Sequence, residues 1–200
     1  MDEKSDYKIP NNYIEIKELL PVEAFATPAY LNGFMDGVVI PEGLIHSRLE
    51  KMALDVANHY RGKKFKIFCI LKGSSRVFED LCRLLRQFSI SGAFDQDIEY
   101  EFVKISSYDG KSQGEVKVEG LDLSKLKGQN ILIVEDLVDT GRTLTRFIKA
   151  LKEQEVADIK LFVLCDKHSQ RMEMAKDLHI DFLGFRIPNY WIIGYGMDAD

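Results

Sequence analysis

The 200-residue chain contains few of the features that mark secreted, membrane-spanning or nucleic-acid-binding proteins. It has only three cysteines, an odd number that cannot all pair within the chain, and none is in CxxC spacing, so we expect free thiols and a cytoplasmic protein. We expect no secretory signal, because the start of the chain, residues 1–6, has no apolar run, and no membrane partner, because no apolar run approaches the roughly 20 residues of a span. Acidic residues outnumber basic ones and the net charge is −5, which argues against nucleic acid as a partner.

Apolar runs that alternate with amphipathic segments predict one α/β domain, residues 1–200, built as a doubly wound, mainly parallel sheet. Two hundred residues suit a single core. Unbroken apolar runs are typical of strands covered on both faces. The predicted strands are 38–40, 65–71, 98–106, 115–119, 130–134, 159–164, 182–185 and 191–194. The predicted helices are 43–60, 75–88, 141–154 and 169–178.

The strand predicted to end at Val134 is followed by two acids and a polar loop that leads into a helix. Ligands of open α/β sheets bind beyond the carboxyl ends of the strands. Backbone N–H groups of residues 139–143 lie where a helix N-terminus binds phosphate, and Gly141 permits close approach. The acids would repel phosphate but suit ribose hydroxyls. The candidate residues for a ribose 5-phosphate site are Glu135, Asp136, Leu137, Val138, Asp139, Thr140, Gly141, Arg142 and Thr143.

This segment has a simpler interpretation, in which Asp139 or Thr140 is an ordinary N-cap and the acids are solvated loop charges. The GxxxxGK[ST] pattern of a nucleoside triphosphate loop is absent. Lys72-Gly73 ends another apolar strand. This dipeptide could hold diphosphate through the lysine and free backbone N–H groups, or it could be an ordinary turn at the end of the strand.

Residues 131–143 resemble the phosphoribosyl diphosphate loop of the type I phosphoribosyltransferases. The sequence of residues 134–143 is especially similar to that loop in the hypoxanthine-guanine branch of the family. The resemblance covers residues 13–198. It includes Ile40-Pro-Glu-Gly-Leu-Ile, Ile70-Leu-Lys-Gly73, Ser107-Tyr108, Gly184-Phe-Arg-Ile-Pro188 and Gly194-Tyr195 in the family's order. It implies the type I phosphoribosyltransferase fold, with a small hood formed by the N-terminal and C-terminal segments.

The resemblance also implies Mg²⁺-dependent transfer of a 5-phosphoribosyl group from its 1-diphosphate to N9 of hypoxanthine or guanine, in a homodimer or homotetramer. It assigns the catalytic role near purine N7 to Asp139 and a contact with the 6-oxo group to Lys167. The remaining implied contacts are diphosphate at Lys72 and Gly73 (where the peptide after Leu71 is often cis), the closing loop at Ser107 and Tyr108, the purine at Tyr190, Trp191 and Ile192, and Mg²⁺ at Asp198.

The chain ends at Asp200, whereas members of the family usually continue further, so we expect a shortened form. Two alternatives stay open. One is a low-activity or inactive paralogue that binds purine nucleotides or regulates an intact partner. The other is a transferase of the same fold that acts on adenine, xanthine or a pyrimidine.

Overall fold

A single mixed sheet forms the centre of the protein in the computed structural model, which describes residues 7–31, 33–94, 98–107 and 116–197. The elements in chain order are β1 (Ile14–Glu15), α1 (Glu42–His59), β2 (Lys66–Ile70), α2 (Ser75–Ile90), β3 (Glu99–Ser107), β4 (Val116–Glu119), β5 (Asn130–Val138), α3 (Arg142–Lys152), β6 (Asp158–Asp166) and β7 (Phe182–Arg186). Across these described parts the strand order is β1-β7-β6-β5-β2-β3-β4.

The sheet is doubly wound, as predicted. The neighbouring pairs from β1 to β3 are parallel, and β4 runs antiparallel to β3 at the edge. Successive side chains of a strand point to opposite faces. Leu132 and Val134 of β5 therefore pack with α1 and α2 in one core, whereas Ile131 and Ile133 pack with α3 in the other. This alternation explains why β5 is apolar without interruption.

The prediction that the central strand ends at Val134 was wrong. β5 continues to Val138 because β6 pairs with it as far as the Val138–Asp166 register. Glu135 and Asp136 therefore belong to the strand and take its regular geometry, rather than that of a loop.

Three further segments differ from the predicted elements. Residues 169–178 form two short 3₁₀ turns, His168–Gln170 and Glu173–Ala175, instead of a helix. Residues 191–194 form no strand, because the chain turns back at Gly194, which makes only a bridge to Met197. Residues 38–40 contribute only a bridge from Val38 to Leu20 before α1 begins.

The N-terminal segment lies over the β7 side of the sheet. β1 pairs with β7, and the buried Arg48 of α1 donates to the carbonyl oxygens of Asn12 and Leu183 at 2.6 Å each. Residues 34–40 and 190–197 line one cavity, which agrees with a hood formed by both segments. No helix within the described ranges is long and apolar enough to cross a membrane.

Candidate active site

Parallel strands bring the predicted functional residues to one edge of the sheet. Cys69 of β2 lies beside Val134 of β5, and Val138 lies beside Asp166 of β6. The segments that follow these three strands therefore emerge side by side. The first of them begins with a cis peptide between Leu71 and Lys72, as the family resemblance implied.

The loop between β5 and α3 forms a cavity of about 300 Å³. Gly141 has φ of 71° at the N-cap of α3, a left-handed conformation that glycine adopts without steric cost. Helix N-termini bind anions through free N–H groups and the helix dipole. Eight lining residues were predicted from sequence: Glu135, Leu137, Val138, Asp139, Thr140, Gly141, Arg142 and Thr143. The cavity suits a phosphate monoester.

The two adjacent acids form a coupled pair at the end of β5. The Asp136 N–H donates to Oε1 of Glu135 at 3.3 Å. Burial, followed by the hydrogen bond and negative charge of Asp136, raises the pKa of Glu135 well above its ordinary value. The pair therefore favours a bound group that donates hydrogen bonds or carries positive charge.

Asp136 is packed directly against the turn that follows β2. A Cβ atom at Gly73 would lie 2.1 Å from Oδ2 of Asp136 and 2.8 Å from its Cγ, so a side chain at residue 73 would displace the carboxylate. The predicted ribose and diphosphate residues are thus in contact.

A buried lysine faces the predicted catalytic acid. Lys167 is 4% exposed, and its Nζ lies 3.4 Å from Oδ2 of Asp139, whose side chain is 47% exposed. The lysine is held by the strand pairing, since its N–H donates to the Val138 carbonyl oxygen at 2.9 Å. A cation and a carboxylate are therefore presented together at the mouth of the site.

A larger cavity of about 740 Å³ lies between residues 34–40 and the segment after β7. Tyr190, Trp191 and Ile192 line it together with Cys165 of β6. Trp191 is 77% exposed, so an aromatic face is open to a ligand rather than consumed by core packing. Trp191 is therefore not a core residue.

Sequence reasoning did not assign a site role to residues 168–178, here called the strap, which pack against the phosphate loop. Asp166 is fully buried and accepts from Nη2 and Nε of Arg171 at 3.0 and 3.2 Å. A Cβ atom at Gly141 would lie 2.8 Å from Cβ of Ala175 in the strap. The one signal in the sequence was an acid, Asp166, at the end of an apolar strand.

Met172, also in the strap, donates its N–H to the Thr140 carbonyl oxygen at 3.0 Å. Arg171 donates to the Leu178 carbonyl oxygen as well. Because these groups bond across the strap and to the phosphate loop, they do not follow the i→i−4 pattern of the predicted helix.

Some predicted site residues lie outside the described residues. Tyr108 and Asp198 are among them, as is most of the closing loop 106–114. Ser107 is described only by its backbone, which pairs with Val116.

Of the described cysteines, all three are buried and free, as expected. Burial raises the pKa of Cys69 to about 11.

Comparison with known proteins gives concordant similarities. The family "Phosphoribosyl transferase domain" matches residues 43–200. The chain is 34% identical over 181 residues to the hypoxanthine-guanine-xanthine phosphoribosyltransferase of Plasmodium falciparum, covering 88% of this chain and 77% of that protein. It is 34% identical to the hypoxanthine-guanine phosphoribosyltransferase of Canis lupus familiaris over 88% of this chain and 81% of that protein.

Solved structures show the same likeness. The hypoxanthine phosphoribosyltransferase of Staphylococcus aureus superposes with a TM-score of 0.73 at 26% identity, covering 87% of this chain and 89% of that chain. The hypoxanthine-guanine phosphoribosyltransferase of Schistosoma mansoni in complex with IMP superposes with a TM-score of 0.73 at 28% identity, covering 94% of this chain and 88% of that chain.

Proposed function

Because this chain belongs to the phosphoribosyl transferase domain family, we propose that it transfers the 5-phosphoribosyl group of 5-phospho-α-D-ribose 1-diphosphate to N9 of hypoxanthine or guanine. The products are IMP or GMP and diphosphate, as in purine salvage. The single observation that carries the choice of base is the pair formed by the buried Lys167 and the half-exposed Asp139 at the edge of the phosphate cavity.

This pair matches one edge of a 6-oxopurine. N7 and O6 are neighbours on the same edge of guanine. With the Lys167 ammonium 3.4 Å from the Asp139 carboxylate, one group can donate to O6 while the other accepts the proton at N7. Adenine would instead turn an amino group toward the lysine. A buried donor left without an acceptor is costly, so the site discriminates against adenine.

The sugar half of the substrate fits the loop between β5 and α3. The N–H groups around Gly141 and the hydroxyl groups of Thr140 and Thr143 bind the 5-phosphate. Glu135 and Asp136 accept hydrogen bonds from the 2′- and 3′-hydroxyls. These donors stabilise the charged form of Glu135 and so oppose the burial and the Asp136 charge that raise its pKa.

In the reaction, the bond between C1′ and the diphosphate oxygen breaks, and its electron pair leaves with diphosphate. The bond between C1′ and N9 forms, and Asp139 receives the purine proton. Lys72 and the backbone of Gly73 hold the leaving group, while Trp191 stacks on the base and Ile192 contacts it through its main chain. Orientation and charge stabilisation supply most of the acceleration.

Magnesium fits the donor groups available. Within the described ranges no group of three or more acidic, histidine or cysteine side chains converges on one point. Mg²⁺ needs only one or two carboxylates when substrate oxygens and waters complete its coordination. Glu135 and Asp136 can provide them, together with Asp198, which lies outside the described residues. Bound there, the ion would supply positive charge for the departing diphosphate.

The test is to follow nucleoside monophosphate formation from hypoxanthine, guanine, xanthine and adenine with phosphoribosyl diphosphate and Mg²⁺. We expect IMP and GMP in preference to AMP. Absence of IMP and GMP at micromolar protein, from a preparation that binds nucleotide, would refute the proposal. AMP as the main product would refute the role given to Lys167.

We also propose that the enzyme works in the cytoplasm as a homodimer or homotetramer. The three buried, free thiols support a reducing compartment. Light scattering of the purified protein tests the assembly, and a monomeric mass at micromolar concentration would contradict it.

A further inference from the structure

A buried carboxylate in α2 contacts the segment that follows β7, at a distance from the reacting groups. Asp80 is 6% exposed, and the Tyr195 hydroxyl donates to its Oδ2. Arg83 lies 3.1 Å from the same carboxylate, and Arg76 lies 3.6 Å from it while its guanidinium stacks 5.7 Å from the Tyr195 ring. Asp80 thus forms ion pairs with two arginines and accepts a hydrogen bond from the tyrosine.

Tyr195 occupies a tight turn whose backbone needs such support. Gly194 and Met197 exchange N–H···O bonds of 3.0 Å, and both central residues have positive φ, 54° at Tyr195 and 89° at Gly196. Two positive φ values are the mark of a type I′ turn. A tyrosine rarely adopts this conformation, so its side-chain contacts must compensate.

The 194–197 turn packs closely against the proposed diphosphate site. A Cβ atom at Gly196 would lie 2.7 Å from the Gly73 carbonyl oxygen and 3.2 Å from Cβ of Arg76. Gly73 is in turn pressed against the Asp136 carboxylate. The proposed ribose acid, the diphosphate turn and the end of the purine-contacting segment are therefore stacked without intervening space.

We infer that Asp80 and Tyr195 are positioning residues: their hydrogen bond holds the 194–197 turn on the backbone of Gly73, so that the purine and diphosphate subsites are set in one geometry. Neither side chain touches a reacting atom. This inference rests on the proposed function, since that function places diphosphate at Lys72-Gly73.

The protonation of the pair suits this role. Burial, then the hydrogen bond and charge of Asp80, raises the pKa of Tyr195, so its hydroxyl keeps its proton across the physiological range. Burial acts to raise the pKa of Asp80, but hydrogen bonds from Tyr195 and Arg83 outweigh it and lower that pKa. The bond is consequently present at every pH at which the protein would work.

The test is Tyr195→Phe, which removes the hydroxyl and leaves the ring. Calorimetry measures the affinity for inorganic diphosphate with Mg²⁺ and, separately, for ribose 5-phosphate, which needs only the phosphate loop and the acids. We expect diphosphate to bind about ten-fold more weakly, because without this bond the 194–197 turn no longer holds the Gly73 backbone in its binding geometry. Ribose 5-phosphate affinity should change by less than about two-fold.

Two further variants separate positioning from general stability. Asp80→Asn keeps an acceptor for the Tyr195 hydroxyl and should retain more diphosphate affinity than Asp80→Leu. Tyr60→Phe removes another buried hydroxyl, 3.5 Å from the Ile131 carbonyl oxygen in the core, and should change only the melting temperature.

Unchanged diphosphate affinity in Tyr195→Phe would overturn the inference, as would an equal loss of ribose 5-phosphate affinity or no diphosphate binding by the unmodified protein. Failure of the proposed function gives a different pattern. If the unmodified protein binds diphosphate but forms no nucleotide, the function fails, while the positioning role stands on the loss of binding in Tyr195→Phe.

Discussion

The Gly73→Ala substitution places a single methyl group between the proposed ribose and diphosphate subsites. The new Cβ would lie 2.1 Å from Oδ2 of Asp136, whereas ordinary contacts of a Cβ begin at 3.4 Å. The φ of Gly73 lies outside the left-handed region, so alanine can adopt the backbone conformation. The carboxylate must therefore withdraw by about 1 Å.

The magnitude follows from that displacement. A misplacement of about 1 Å in a reacting group costs roughly 100-fold in rate, so we expect a loss of that order in kcat/KM for phosphoribosyl diphosphate. The forced contact should also cost about 1–3 kcal/mol of stability. KM for the purine base should change less, because Lys167 and Trp191 are not displaced.

The assay is the initial rate of IMP formation at varied phosphoribosyl diphosphate, with the melting temperature measured alongside. Gly43→Ala is the matched control, because it adds the same methyl group to the first turn of α1, where no atom lies within 4 Å. It should leave the rate unchanged and stabilise the helix by up to about 1 kcal/mol. A Gly73→Ala enzyme with a kcat/KM within about two-fold of the unmodified protein would refute the contact between Asp136 and the substrate ribose.

Three other changes test the remaining parts of the site. Asp139→Asn should lower kcat by roughly 100-fold or more while GMP binding persists, because only the proton acceptor is lost; unchanged turnover would contradict the assignment. Gly141→Ala should abolish nucleotide binding and destabilise the protein more than Gly62→Ala, since both have positive φ but only residue 141 meets Ala175 at 2.8 Å; equal unfolding midpoints would contradict this. Lys167→Met should raise KM for guanine at least about ten-fold and reduce the preference over adenine, and initial rates with both bases will show whether it does.

The local elements of this protein could be predicted because their signals are contiguous. Apolar runs at β2, β5 and β6 reflect burial on both faces of a parallel sheet, and the spacing of apolar residues in α1 and α2 matches the helical repeat. The phosphate loop was visible for the same reason, since residues 135–143 are neighbours in the chain and in space.

The errors occurred where long-range contacts override local preference. Residues 169–178 carry apolar side chains at spacings typical of a helix, but Arg171 turns back to the buried Asp166 and the Met172 N–H is used by Thr140. The extension of β5 through Glu135 and Asp136 depends on pairing with β6, which local propensity does not reveal.

The chain's residue order thus establishes the α/β class, the phosphate-binding loop and the family resemblance, because each depends on residues that are close in sequence. Folding alone brings Lys167 to Asp139, Asp136 to Gly73 and Tyr195 to Asp80, which are separated by 28, 63 and 115 positions. Such pairs depend on strand register and on the path of the chain over the sheet, so their geometry exists only once the core has packed.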